Sequence, residues 1–320
     1  MDIAKRHPIR GYCCIAGATL LWGVAANLGR AAFMGRLLPR GQALPPIDPL
    51  ILSQSRTTFS LLVLACLLPL VRGWQPLRVS RADLRQLFLL GILGVAASNY
   101  FYYLAILRTN VATAIILQYT APAWVLLYAL ARGFEKLTFE RFLAVALALT
   151  GIAFVVGIFG STRLRLDPVG VAAALVAAVS FAFYNVGGHS LLLCHDRWTV
   201  LFYTILSASL FWIFINPPWK IAAAHYSVAQ WWFLVGFSLL SVLLPFACYF
   251  AGLQHLEPTR AVLVSCLEPV FSIVIARVAL GERMQPIQSL GIVLVLLAMV
   301  VVERPNERTR EAVAIVEPME

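Results

Sequence analysis

The sequence predicts an all-α integral membrane protein of ten transmembrane helices, arranged as two five-helix inverted repeats. Three observations predict it. Of the 320 residues, 61% are hydrophobic and 12% charged, with a mean hydropathy of +0.83, whereas a soluble domain carries about 25% charged residues. So apolar a chain cannot cover itself with polar surface, and lipid must be its solvent. Ten apolar runs approach the roughly 20 residues that a helix needs to cross a bilayer core of about 30 Å. The end of the first half also repeats in the end of the second half at a shift of 147 residues.

The ten runs cover 11–33, 48–71, 83–106, 110–131, 140–159, 168–192, 198–216, 230–253, 258–279 and 286–302. Gly and Pro inside them are no objection, because membrane helices tolerate both. The first run follows Lys5, Arg6 and Arg10 as a signal peptide would. It is long enough to span, and no small-residue cleavage site ends it before Arg30, so it is expected to be an uncleaved first helix. Connections are short. The longest polar stretches are 34–47, with Pro39, Gly41, Pro45 and Pro46, and the tail 304–320. Neither holds an appended catalytic domain. The expected units are residues 1–160 and 161–303, followed by the tail.

Lys and Arg in alternate loops set the orientation. With the N-terminus inside, 14 fall on the cytoplasmic side, among them Arg72, Arg78, Arg81, Arg132, Lys136 and Arg141, against 9 on the other. Both termini are therefore expected in the cytoplasm. The formal net charge of +10 does not point to nucleic acid, since the cations sit at span ends rather than in one aromatic-interleaved patch. The six cysteines form no C-x-x-C pair and have no zinc spacing, so they are expected reduced, as small hydrophobes. No cofactor or metal is expected.

At the shift of 147, Tyr102 falls on Tyr249, Ala114 on Ala261, Pro122 on Pro269 and Glu135 on Glu282, continuing to Leu149 on Leu296. Leucine and alanine matches are cheap in apolar sequence; a mid-helix Pro, a loop Glu and a Tyr in one register are not. Five spans per half force the second half to enter the membrane with opposite topology, the arrangement of secondary transporters with a midplane site.

Several short motifs carry a family resemblance. They are Leu21-Trp22-Gly23, Pro49 with Arg56, Ala121-Pro122, Phe183-Tyr184-Asn185, Leu267-Glu268-Pro269-Val270-Phe271 and Gly281-Glu282-Arg283. Over residues 11–302 the chain resembles the drug/metabolite transporter superfamily, EamA type. The resemblance implies ten helices with cytoplasmic termini, and movement of amino acids, nucleotide-derived metabolites or drugs, commonly outward. Two departures stand out: the long Pro-rich loop 36–47, and Ala121, which lacks the carboxylate of its repeat mate Glu268.

Ionisable residues inside a bilayer cost about 2.5–3.5 kcal/mol on insertion scales, so each calls for a reason. Glu268 lies about ten residues into the ninth helix, with Ser265 and Ser272 at helical spacing on its face. It is either a proton carrier or ligand for a cationic group, or a neutral interhelical anchor. The resemblance attaches the Glu-Pro pair to members of different specificity, which favours structure or general mechanism. Arg56, one to two turns inside the second span, could meet a substrate carboxylate; the structural role of snorkelling or holding a helix is preferred. Softer cavity candidates are Trp22, Asn27, Asn99, Tyr102, Tyr103, Gln118, Tyr119, Tyr184, Asn185, His189 and Tyr249. A buried amide facing lipid would be unsatisfied, so each faces another helix or a cavity, and packing competes with substrate contact at every one. Together they describe a cavity lined by aromatics and amides that suits an amphipathic solute. Pro122 and Pro269 remove backbone hydrogen bonds at matching depth, either as fixed kinks or, preferred here, as a paired hinge. Gly151, Gly157, Gly170, Gly187 and Gly188 are expected at close helix contacts.

The leading expectation is a secondary carrier of small metabolites working by alternating access, an exporter of amino acids or related amphipathic compounds. Its partners are a small-molecule solute and the lipid bilayer, with proton coupling open and the oligomeric state unread. A multidrug or cationic-compound exporter is the alternative, and a membrane-embedded enzyme is remote. Such enzymes need clustered His, Asp or Glu, whereas His7, His189, His195, His225 and His255 are scattered. No repeated filter sequence points to a channel.

Overall fold

The computed structural model describes residues 7–33, 47–73, 77–109, 111–133, 136–157, 167–280 and 285–303. Residues 36–46 of the Pro-rich loop, Glu135, the Gly281-Glu282-Arg283 motif and the tail 304–320 lie outside the described residues.

All regular structure among the described residues is helical. The ten long helices are α1 (Pro8–Phe33), α2 (Pro49–Arg72), α3 (Arg81–Arg108), α4 (Val111–Gln118 and Ala121–Ala131), α5 (Phe139–Val155), α6 (Pro168–Leu192), α7 (Arg197–Ile215), α8 (Val228–Leu253), α9 (Pro258–Ser265 and Leu267–Leu280) and α10 (Pro286–Glu303). A short helix, Pro218–Ala222, joins α7 to α8. Eight are long and apolar enough to cross a membrane, while α5 and α10 are shorter, at 17 and 18 residues.

Polar caps fix where the helices begin. Asp48 Oδ1 accepts from Leu50 N and Ile51 N at 2.8 and 3.1 Å, and Asp167 Oδ1 from Gly170 N at 3.0 Å. Asp196, Thr138 and Ser80 do the same for α7, α5 and α3. Ser227 and Gln230 form a reciprocal capping box at the start of α8. Each cap satisfies an N–H that the first helical turn leaves unpaired.

The 147-residue register reaches well beyond the residues that reveal it in sequence. Ser80 caps α3 and Ser227 caps α8; α4 and α9 start at Val111 and Pro258; α5 and α10 start at Phe139 and Pro286. Inside α3 the residues Leu90–Ala96 wind as a π-helix, and inside α8 Leu239–Leu243 do so at the matching place. The interruption of α4 at Tyr119–Thr120 falls on that of α9 at Cys266. Its cause is local. A proline cannot donate to the carbonyl four residues back and its ring clashes there. For Pro122 and Pro269 those positions are Gln118 and Ser265, the last residues of the first segments.

Packing obeys the same exchange. α1 packs on α8 and α9 as α6 packs on α3 and α4, and α2 packs on α8 as α7 packs on α3. The pairs α2–α7, α4–α9 and α5–α10 join mates directly. This is the pattern of two inverted halves related by an axis in the membrane plane. The α5–α10 pair meets along small residues: Ala144, Ala148 and Gly151 face Gly291, Val295 and Ala298, all buried. A Cβ at Gly151 would stand 2.9 Å from Gly291 O. Gly170, Gly187 and Gly188 also lie against neighbouring helices, whereas Gly157 adopts φ 82 in the turn that ends α5. There the demand is a left-handed backbone.

Candidate functional site

A cavity of about 720 Å³ opens between the halves. Its wall residues lie at mid-depth or toward the face opposite the termini. They include Trp22 and Ala26 of α1, Arg56 of α2, Asn99, Tyr102 and Tyr103 of α3, and Val111 and Ile115 of α4. Val155 at the end of α5, Ser272 of α9 and Gln288 at the start of α10 complete the far end. On the terminus side of it, Tyr249, Phe250 and Leu253 of α8 and Leu263 and Val264 of α9 are buried.

The broken helices set the chemistry at mid-depth. Glu268 occupies the first turn of the second α9 segment, where unpaired N–H groups and the helix dipole favour a carboxylate. Tyr119, in the interruption of α4, donates its hydroxyl to Glu268 Oε2 at 2.9 Å. One hydrogen bond thus ties the two interruptions together. Arg56 projects two turns inside α2 and donates through Nη2 to Asn99 Oδ1. Asn99 in turn donates its amide to Val95 O at 2.7 Å, which fixes the acceptor oxygen toward Arg56. Gln118 Nε2 reaches Ser98 Oγ at 3.5 Å, and Ser98 donates to Ala177 O at 3.2 Å.

Aromatic rings line another part of the wall. Trp22 meets Phe246 edge-on with ring centroids 5.4 Å apart, and Phe246 meets Tyr184 at 5.6 Å. Tyr184 stacks on Phe181 at 6.0 Å, and its buried hydroxyl has no hydrogen-bond partner. Offset and edge-on pairs of this kind add about 0.5–1.5 kcal/mol each beyond area burial, so this side of the cavity is preformed.

The structure therefore brings Trp22, Asn99, Tyr102, Tyr103, Gln118, Tyr119, Tyr184 and Glu268 to one wall, together with Pro269. Arg56, expected in a structural role, stands in the same wall while also holding α3 through Asn99. Other expected residues are engaged elsewhere. Asn27 ties α1 to α9, donating to Gly23 O at 2.9 Å and Ser272 O at 3.0 Å. Asn185 and Tyr249 are both fully buried; the Tyr249 hydroxyl donates to Asn185 Oδ1, and the Asn185 amide donates to Phe181 O at 2.8 Å. His189 Nδ1 pairs with Leu253 O at 2.9 Å, and Ser265 donates to Val262 O. Pro122 is packed inside α4. These contacts anchor helices rather than line the cavity.

The polar and aromatic wall residues that sequence reasoning missed are Ser98, Phe181, Phe246 and Gln288. Phe181 and Phe246 lie three residues before Tyr184 and Tyr249, so helical spacing could have found them. Gln288 is the repeat mate of Arg141, and it donates to Val155 O at 3.2 Å. Among the described residues no three His, Cys, Asp or Glu side chains gather as a metal site would require.

Comparison with known proteins accords with this architecture. The model of the EamA-like transporter family matches residues 9–157 and again 168–304. The threonine/homoserine exporter RhtA of Escherichia coli K12 is 28% identical over 227 residues, 71% of this chain and 73% of its own. The uncharacterized inner membrane transporter YicL of Salmonella typhimurium is 25% identical over 243 residues, covering 73% and 77%. An uncharacterized transporter of Archaeoglobus fulgidus is 24% identical over 217 residues, covering 67% and 76%. A solved crystal structure superposes with a TM-score of 0.75 at 19% identity, over 93% of this chain and 97% of its own, which shows a shared fold. With the family matched once in each half, around a cavity that both halves wall, the chain is a multi-pass membrane transporter and belongs to the EamA-like transporter family.

Proposed function

We propose that the chain is a secondary transporter of small metabolites that exports amino acids or related amphipathic compounds by alternating access. The observation that carries this reading is the cavity between the halves, walled largely by aromatics and amides, with buried side chains on its terminus side. The name of the RhtA relative supports the amino-acid class and the outward direction. With both termini in the cytoplasm, as the Lys and Arg distribution favours, the cavity faces outward. The halves 1–160 and 161–303 then move against each other about the paired interruptions before Pro122 and Pro269.

Reconstitution tests the proposal. Purified protein in liposomes gives saturable counterflow of a neutral amino acid; flux that does not saturate would mean a channel, and no amino-acid flux would end the reading. In the same assay Pro122→Ala or Pro269→Ala lowers turnover with KM unchanged, and unaltered turnover makes the interruptions static. Proton coupling through Glu268 requires that Glu268→Gln abolish dependence on a pH gradient while exchange continues. A reporter fused after Glu320 must register in the cytoplasm for the orientation to hold. Export of organic cations alone is disfavoured by Arg56, a fixed cation in the same wall.

A further inference from the structure

The cavity wall holds an arginine and a glutamate that form no direct ion pair with each other. Arg56 gives one N–H to Asn99, and its Nε is buried without a partner. Glu268 accepts from the Tyr119 hydroxyl. Neither belongs to the ion pairs formed among the described residues. They nonetheless share one wall, with Tyr102 in it as well. A guanidinium has five N–H donors and a carboxylate about four acceptor positions, so each keeps capacity for a partner. A buried charge without a counter-charge is expensive. A ligand that brings both signs at once relieves both.

We propose that the cavity reads the zwitterion of a neutral α-amino acid, with Arg56 taking the carboxylate, Glu268 the ammonium group, and the Trp22–Phe246–Tyr184 face the side chain. The inference rests on the amino-acid transport reading above and adds which atoms of the solute are recognised. The planar fork of arginine matches a carboxylate through two parallel hydrogen bonds, which a lysine would not supply. A solute with one sign leaves the other, half-buried protein charge unpaired. Amines and carboxylic acids that share the same side chain are therefore poor ligands. Specificity of this kind exceeds what an apolar pocket achieves, because it works by stranding polar groups.

The test uses L-threonine, L-leucine and L-phenylalanine with their methyl esters and N-acetyl derivatives. Each is titrated against the purified full chain by thermal stabilisation, since a ligand for the native state raises its apparent stability. On the native sequence, capping either end weakens binding about tenfold or more, the range of a lost charged hydrogen bond. Glu268→Gln removes the penalty for N-acetylation and keeps that for esterification; Arg56→Gln does the reverse, and Arg56→Lys restores only part of the carboxylate dependence. If Arg56→Gln does not fold, the analogue series on the native sequence still decides. Capped forms that bind as tightly as the free amino acids overturn the assignment, as does a Glu268→Gln protein that keeps both penalties. In those cases amino-acid counterflow can persist, and the transport proposal stands without this one. Binding of organic cations with no amino acid bound or transported would end both.

Discussion

The seam between α5 and α10 should not tolerate a single added methyl group. A Cβ on Gly291 would stand 2.6 Å from Gly151 O, 2.6 Å from Val155 N and 2.8 Å from Phe154 Cβ. Two of those atoms are backbone, so no rotamer change relieves the clash. The helices must part by about an ångström to restore van der Waals distance, which loosens every contact along the seam. Alanine gains about 1 kcal/mol over glycine in helix propensity, while overpacking costs about 1–3 kcal/mol. With backbone on both sides the upper end applies, and Gly291→Ala should destabilise by about 1–2 kcal/mol net. Gly17 in α1 and Gly236 in α8 have nothing within 4 Å of an added Cβ, so the same exchange there should be neutral or stabilising. Thermal unfolding in detergent would report the difference, read by labelling of the fully buried Cys266 thiol after accessible thiols are blocked. If Gly291→Ala melts with the two controls, at or above the native protein, the backbone contact does not exist as described.

Two further expectations separate anchors from working residues. Tyr249→Phe leaves the buried Asn185 Oδ1 without its donor and should cost about 1–3 kcal/mol of stability, while the KM for transport stays put. A raised KM with unchanged stability would move this pair into the solute path. At the terminus-side ends of the helices, burial, then Arg10, His7 and Arg197, hold His255 below its ordinary value of 6.5. The unfolded chain then takes up a proton at higher pH than the folded one, so stability falls as pH drops from 6.5 toward the folded value. His255→Asn should flatten that part of the melting-temperature profile; parallel profiles for the two proteins would show that His255 carries none of it.

The path of the chain was largely legible because composition, caps and prolines act locally. Asp48, Asp167 and Asp196 announce helix starts by the groups they satisfy, and the spans read from hydropathy agree with the helices within a few residues. The interruptions of α4 and α9 were signalled by Pro122 and Pro269, although each falls three residues before its proline. The π-helical windings of α3 and α8 left no mark, since they change hydrogen-bond partners rather than residue type. The wall of the cavity was legible in kind and only partly in membership. Tyr249 and Asn185 look like solute contacts for the same reason Tyr102 and Asn99 do: each is a polar group buried in an apolar run. Sequence cannot say whether such a group is satisfied by another side chain or left for a ligand, and here Tyr249 and Asn185 satisfy each other. Arg56 does both things, holding α3 through Asn99 as preferred for it and standing in the cavity wall, and its helical rotation toward α3 depends on packing that no local signal encodes.

The brevity of α5 and α10 bears on the membrane itself. Seventeen residues in α5 and eighteen in the described part of α10, at about 1.5 Å each, give about 26–27 Å of helix, a few ångströms less than a typical hydrocarbon core. Because the two helices lie side by side with Phe142, Leu290, Val293 and Leu297 facing outward, the shortfall is gathered on one flank. Lipid there must thin to meet the protein, at a cost of a fraction of a kcal/mol per ångström. The longer α3 and α8, at 28 and 26 residues, impose no such dimple. Acyl-chain length in the surrounding bilayer therefore presses on the molecule from one side, against the seam where its two halves meet backbone to backbone.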